Sequence, residues 1–460
     1  MCGIVGIFGQ DEAGRMAAEA LFAQQHRGQD SCGIASADGE RVHRFRGLGL
    51  VRDTLTPGVL AGLPGTAAIG HVRYPTQGRA LCENAQPHVF EKDGVPLFAL
   101  SSNGDITNLP ELTTEIERRG YALEGTNDAE VITKCIGIWA FDDGMGLKPA
   151  IARWMREGRG AYSAVLMTRD HLYAFRDPHG LRPMSCGTLD GTVVVVSETV
   201  GLDILRADYT EDVPPGAILR WGGDGLQRIQ GVDPSDLRHC IFEHIYFARP
   251  DSLMFGENVF DVRRAIGECL AMGDDTPGDV VVPIPDSANY IGLAYANARH
   301  IPVAFGLVRN HYVGRTFIAP EQQVRDETVR LKFNPLPGFF VGKRVFAVDD
   351  SIVRGTTIRK LIRMMRENGA KEVHLRIGSP PIRHSCYYGI DTPDQHKLIA
   401  HGRNEEEVAR HLGADSLRYL SLEGLRSAVA APDHFCYACF NGTYAAGRKD
   451  PAEKPVAGSG

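Results

Sequence analysis

The sequence predicts two architectures in succession, a layered α+β half followed by an α/β half built on a parallel sheet. At 460 residues the chain is too long for one ordinary core, so two or more domains are expected. Residues 1 to about 230 hold short apolar runs separated by Gly, Asp and Pro turns, with helices grouped between them. The remainder twice reads strand, turn, helix, strand, which implies a parallel sheet with covered faces.

The strands of the first half are "GIVGIFG", "AAIGHVRY", "LFALSSNG", "SAVLMTRDHLYAFRD" and "TVVVVSET". Helical spacing falls at about 12–25 and after Asp128, in "AEVITKCIGIWA". In the second half the first unit is "DVVVPIPDSANYIGLAYANARHIPVAF" and the second "RVFAVDDSIVRGTTIRKLIRMMRENGAKEVHLRIGS". Within the latter, Ile358, Leu361, Ile362 and Met365 recur at helical spacing, and Gly369 stands where a C-cap glycine would. The boundary is placed in "GVDPSDLRHC", dividing the chain into 2–235 and 236–445; the polar, Gly/Pro-rich tail 446–460 reads as a flexible end.

Hydrophobic content of 43% and charged content of 23% are those of a globular protein. The net charge of −7 gives no basis for a nucleic-acid or membrane partner, although phosphate sites can still be built locally. No apolar run spans a bilayer and no charged-then-apolar leader is present, so a cytoplasmic protein is expected. Ten cysteines are too few for a disulfide scaffold. Cys32, Cys82, Cys135, Cys186 and Cys269 stand alone and read as small buried hydrophobes.

The strongest local signal is "VFAVDDSIVRGTT" at 345–357. An apolar strand delivers Asp349 and Asp350 at its carboxyl end, where open α/β sheets bind ligands. Ser351, Gly355, Thr356 and Thr357 then open a helix whose amides and hydroxyls suit a phosphate. The paired carboxylates suit ribose hydroxyls or Mg²⁺; the plainer reading is a solvent-facing acidic cap. This segment resembles the phosphoribosyl-pyrophosphate (PRPP) loop of type I phosphoribosyltransferases. The resemblance implies that Asp349 and Asp350 hold ribose and Mg²⁺, while Ser351, Ile352, Val353, Arg354, Gly355, Thr356 and Thr357 cradle the 5′-phosphate. It also places Ser287 of "VPIPDS" near Mg²⁺, and makes 308–334, with Arg309, Arg315, Arg325 and Arg330, a lid over pyrophosphate.

At the other end Cys2 follows Met1 directly, so methionine removal would give one residue both a thiol and a free amine. Alone, that is weak evidence. "QHRGQDSCGI" (25–34), "GHVRYPTQG" (70–78), "SNGDITN" (102–108) and "TNDAE" (126–130) resemble, in order, the motifs of class II glutamine amidotransferases, an N-terminal-nucleophile αββα sandwich. The resemblance implies Cys2 as nucleophile, Asn103 and Gly104 as oxyanion donors, and Arg73, Thr76 and Asp128 as the glutamine site. Read singly, Arg73 is a surface cation, Asp128 a helix cap and Asn103-Gly104 a turn.

Together the halves resemble the amidophosphoribosyltransferases, as do "FRDPHGLRP" (175–183) and "YFARPDS" (246–252). That family implies a reaction of PRPP, glutamine and water to 5-phosphoribosylamine, glutamate and pyrophosphate. It also implies channelled ammonia, feedback by purine nucleotides and a homotetramer. Cys436 and Cys439 form a CxxC that, alone, suits redox chemistry or half a zinc site. With Cys240 and Cys386 they match the [4Fe-4S] ligands of the Bacillus-like branch. Two departures from the resembling family stand out: its cluster-bearing members often carry a short propeptide, whereas here only Met1 precedes Cys2, so from this start no autoprocessing would be needed, and Ser102 replaces a basic residue common before the Asn-Gly pair. Two other readings remain: an amidotransferase serving another acceptor, which the PRPP loop opposes, and a PRPP-sensing regulator, which would need no Cys2 constellation.

Overall fold

The computed structural model describes residues 1–74, 81–312 and 331–448. Seven strands make one sheet, in the order Asp208–Asp212, Ser185–Leu189, Thr192–Val196, Gly3–Phe8, Ala67–Arg73, Ser31–Ala37 and Val42–Leu48. Every pairing in it is antiparallel. A six-stranded antiparallel sheet runs Gly225–Gln230, Ala217–Gly222, Leu172–Arg176, Gly160–Met167, Val95–Ile106 and His88–Lys92.

The two sheets face each other through one apolar layer, with Ile4, Ile69 and Val195 from the first meeting Ala99, Val165 and Leu172 from the second. The far side of the first sheet packs on Ala13–Ala23 and Val200–Leu205. That of the second packs on Leu109–Arg118, Asp128–Gly137 and Leu147–Glu157. This is the expected αββα sandwich. The period-two alternation of each strand serves two cores at once, which is why both faces of Gly3–Phe8 and Gly160–Met167 are apolar.

In the second half Val280–Pro283, Arg344–Asp349, Glu372–Ile377 and Ser416–Tyr419 form a parallel sheet in that order. Helices Val259–Ala271 and Asn289–Arg299 cover one face, and Thr356–Glu367 with Glu405–Leu412 the other. Ile358, Leu361, Ile362 and Met365 are all buried, and Gly369 sits just past the helix end with φ +94°, left-handed as a C-terminal glycine requires. The strand expected from "IPVAF" is reduced to one parallel bridge, Val281 to Val303. Pro302 has no N–H to extend the ladder, though its carbonyl accepts from Val281 at 2.8 Å.

Cys32, Cys135 and Cys186 are buried as expected, but Cys82 is exposed and Cys269 half-buried. Cys82 starts a short turn, Cys82–Asn84, outside both cores, and Cys269 has its thiol beside Ser427 Oγ at 3.4 Å. Among the described residues no helix is long and apolar enough to cross a membrane.

Fully desolvated imidazoles, His71 and His88 among them, make stability depend on pH. Burial holds His71 down at about 3 and His88 well below its ordinary value, in each case with nearby arginine as a further cause. The unfolded chain protonates near 6.5 and the folded chain does not, so this stability is present above pH 6.5 and lost as pH falls toward 3. Each group contributes a slope of about 1.4 kcal/mol per pH unit in that window. The urea midpoint should therefore drop below pH 6, and His71→Gln should make the fall shallower; an equal pH dependence in variant and wild type would refute this.

Candidate active sites

Cys2 is buried, immediately ahead of the central strand Gly3–Phe8. Its nitrogen donates to Asn103 Oδ1 at 3.0 Å, and its Sγ lies 3.7 Å from the Tyr74 carbonyl. Asn103 is in the middle of Val95–Ile106, paired with Ser163, so "SNGD" is strand rather than turn. Its Nδ2 is buried and has no hydrogen-bond partner among the described residues. Gly104 follows; a Cβ there would come within 1.9 Å of the Ala161 carbonyl, so the neighbouring strand admits only glycine.

Ser102 is clamped by Gln86, whose Oε1 accepts from the Ser102 amide at 2.7 Å and whose Nε2 donates to its carbonyl at 3.2 Å. Arg73 ends Ala67–Arg73 and is 4% exposed, a buried cation rather than a surface one. Burial lowers its pKa, against the attraction of Cys2, Asp30 and Asp128, so three expected site residues share one electrostatic field. Asp128 is the first residue of its helix; the cap is Asn127, whose Oδ1 accepts from Ala129 at 2.8 Å. Thr76 lies outside the described residues.

Asp349 is the last residue of Arg344–Asp349, and the loop after it reaches helix Thr356–Glu367 through Gly355 at φ +74°. Asp350 is buried, accepting from Ser287 Oγ at 2.5 Å and from Ser351 Oγ at 2.6 Å. Burial raises both carboxyls, Asp349 further because Asp350 adds to it, while the two serines oppose the rise at Asp350. Ile352 is buried in the core on one face of the parallel sheet and Val353 packs against the core on the other; Arg354, Thr356 and Thr357 are exposed. Arg309 pairs with Asp286 at the foot of the 308–334 segment, and Arg315, Arg325 and Arg330 lie outside the described residues.

Cys240 and Cys436 are brought level by a parallel pairing of His239–Cys240 with Phe435–Cys436. Each of Cys240, Cys386 and Cys436 lies in the electrostatic field of Cys439. The Tyr388 amide donates to Cys386 Sγ at 3.3 Å. Tyr387, Tyr388, Cys386 and Cys436 pack on Ala161 and Leu181, bringing two of the four cysteines against the strand that pairs with Asn103-Gly104, while Cys240 and Cys439 lie in the neighbouring core.

Several residues escaped the sequence reading. Arg27, fully buried, donates to the Cys2 carbonyl at 3.1 Å, to Glu198 at 2.6 Å and to both oxygens of Glu243 at 2.8 and 3.0 Å. Glu198 accepts from Arg249 N at 2.6 Å and Ser252 Oγ at 2.7 Å. The available signal was an acid in each apolar run, "VVVVSET" and "CIFEHIYF", since unpaired carboxylates are almost never fully buried.

The fold and the two sites define a class II glutamine amidotransferase sandwich joined to a phosphoribosyltransferase fold. A glutamine amidotransferase domain model matches residues 75–203. Amidophosphoribosyltransferase of Synechococcus elongatus is 43% identical over 449 residues, covering 96% of this chain and 91% of that protein. The Bacillus subtilis enzyme of the same name is 40% identical, covering 96% and 94%. The solved B. subtilis glutamine PRPP amidotransferase, complexed with ADP and GMP, superposes with a TM-score of 0.89 at 39% identity, over 96% of this chain and 97% of that one. The chain belongs to the amidophosphoribosyltransferase family. It is an enzyme that transfers the amide nitrogen of glutamine to PRPP in purine biosynthesis.

Proposed function

We propose that residues 2–235 form the glutaminase half and 236–445 the transferase half, with ammonia passing between them inside the protein. Removal of Met1 converts the Cys2 nitrogen from an amide to an amine, whose ordinary pKa of about 7.7–8.0 suits a general base. The observation that supports this is the divided Asn103 amide, its oxygen on the Cys2 nitrogen and its buried nitrogen without an acceptor among the described residues. Such a donor is aimed at charge that develops only during reaction.

The amine takes the Cys2 proton, and the thiolate adds to the glutamine side-chain carbon. Asn103 Nδ2 and the Gly104 amide receive the oxyanion, and the nitrogen leaves as ammonia with the proton. Water then cleaves the thioester to give glutamate. Arg73 takes the substrate carboxylate and Asp128 its ammonium, with Thr76 as a further contact. Ammonia attacks ribose C1, pyrophosphate departs, and Ser351 to Thr357 with Arg315 hold the phosphates. Closure of the lid makes glutamine hydrolysis wait for PRPP. Asn103→Ala should lower glutamine-driven kcat by about 10²–10³-fold, with pyrophosphate release driven by ammonia unchanged. Equal loss in both assays would refute the assignment.

Asp349, Asp350 and Ser287 fit Mg²⁺: two carboxyls share a desolvated corner that a hard divalent cation would neutralise, and when bound it would offset pyrophosphate charge. Cys240, Cys386, Cys436 and Cys439 fit a [4Fe-4S] cluster. Among the described residues no three or more His, Cys, Asp or Glu could hold a single ion, yet the four thiols share one field and Cys386 already accepts an amide. The cluster would serve structure or oxygen sensing, since the transfer moves no electrons. Anaerobically purified protein should contain about four iron and four sulfide per chain; zinc in their place would sink this assignment. A cytoplasmic homotetramer inhibited by purine nucleotides completes the reading; the ADP- and GMP-bound B. subtilis relative supports its nucleotide part.

A further inference from the structure

A row of polar side chains crosses one face of the parallel sheet at its edge. Strand Glu372–Ile377 carries Glu372, His374 and Arg376 on that face, and the edge strand Ser416–Tyr419 carries Ser416 and Arg418 beside them. The register sets His374 level with Ser416. Ser416 Oγ lies 2.9 Å from His374 Nδ1, and His374 Nε2 lies 3.1 Å from Glu372 Oε2. With the imidazole proton on Nε2, Ser416 donates to His374 and His374 donates to Glu372. Arg376, fully buried and paired with Asp274, donates Nη1 to the same Ser416 Oγ at 3.1 Å. Burial lowers the His374 pKa, with Glu372 opposing it and Arg376 adding to it, so the imidazole is neutral and able to accept a proton at about pH 7. The row opens into a cavity of about 590 Å³, lined by Ser416, Arg376, Arg418, Asp274, Cys269 and Ser421. Strands of a parallel sheet are ordinarily apolar on both faces, so this line of bonded polar groups departs from what the fold requires.

We propose that Ser416, His374 and Glu372 form a further acyl-transfer site, separate from the glutamine and PRPP sites, that acts on small esters. Ser416 is the nucleophile and His374 its general base; Glu372, which acts through the histidine, is a positioning residue. The Ser416 oxygen bonds to the ester carbonyl carbon while its proton passes to His374 Nδ1. The carbon–oxygen bond of the ester then breaks, and His374 hands that proton to the departing alcohol. Water repeats the sequence on the acyl-serine and releases the acid. Arg376 Nη1 and Arg418 are the cations at the cavity wall that the developing negative charge meets. The size of the cavity suits a metabolite-sized ester. The site is built from one strand pair and does not depend on the two-site reading of the enzyme.

The full chain carrying Cys2→Ala is the background for the test, because the Cys2 thiol would itself attack an ester. Two measurements are made on it: turnover of p-nitrophenyl acetate, and labelling by an alkyl fluorophosphonate located by peptide mass spectrometry. The label is expected on Ser416. Ser416→Ala and His374→Gln should each lower turnover about 10²-fold. Ammonia-driven pyrophosphate release, which uses other residues, should stay within about twofold. Glu372→Gln should slow turnover about tenfold and move the rise of its pH profile downward, since a carboxylate that raises the imidazole is gone. Glu372→Asp should restore part of the rate. Turnover unchanged in Ser416→Ala, or a label on Cys269 or elsewhere with none on Ser416, overturns the proposal. Should the variants not fold, the position of the label on the background chain decides alone: Ser416 upholds the site, and its absence there overturns it.

Discussion

Replacing Cys2 by alanine should abolish pyrophosphate release driven by glutamine while leaving release driven by ammonia within about twofold of wild type. The expected loss is at least about 10⁴-fold, because without the thiol no acyl-enzyme forms, and the Asn103 donor has no tetrahedral oxygen to receive. Alanine keeps the backbone bonds that place residue 2, to Asn103 Oδ1 and from Arg27 Nε, so the fold should not suffer. Chains that retain Met1 should behave alike in this assay. Their Cys2 nitrogen is an amide without basicity, and the Met1 side chain is buried against Arg182. Intact-mass analysis of partly processed protein checks this, since glutamine-driven activity should scale with the fraction beginning at Cys2. An alanine variant that still used glutamine would remove Cys2 from the mechanism.

Asp350→Asn should abolish the use of PRPP with either nitrogen source, lowering kcat/KM for PRPP by about 10²–10³-fold, or about 3–4 kcal/mol. The amide has the shape of the carboxyl and can still accept from Ser287 Oγ, now 2.5 Å from Asp350 Oδ1. What it lacks is the charge that a divalent cation and ribose hydroxyls require. Calorimetric titration with Mg²⁺-PRPP separates the two contributions. The expected result is loss of binding; unaltered binding and ammonia-driven turnover would show that Asp350 only caps the loop.

The two-architecture plan was legible because it rests on periodicity. Runs such as "GIVGIF" and "RVFAVD" carry strand character in their own residues, and Ile358 to Met365 carry a helix face in theirs. The Asp349/Asp350 pair was legible for the same reason, since strand, loop and helix adjoin in sequence. Burial of single cysteines was legible only in part: Cys82 and Cys269 differ from Cys32 in tertiary surroundings, which a lone residue does not encode. The least legible feature was the Arg27–Glu243 link, whose partners lie 216 residues apart. A fully buried ion pair is defined by what surrounds it, and breaking one costs about 3–5 kcal/mol, so its importance becomes visible only when both partners have been placed. Gln86 likewise gives no local sign of clamping Ser102.

The Asn103-Gly104 pair carries a consequence for the enzyme's chemical lifetime. In a flexible peptide, asparagine followed by glycine loses its amide readily, because the unhindered glycine nitrogen can bend round onto the side-chain carbonyl and close a five-membered imide. Here both residues are paired in the interior of Val95–Ile106, with the Ala161 carbonyl pressed against Gly104. The ring cannot close until that strand opens, so ageing at this position proceeds only through rare local unfolding. Each such event would put an acid where the amide nitrogen now stands, turning a donor for negative charge into a negative charge. The strand that positions the donor proposed for the oxyanion is thereby also its preservative.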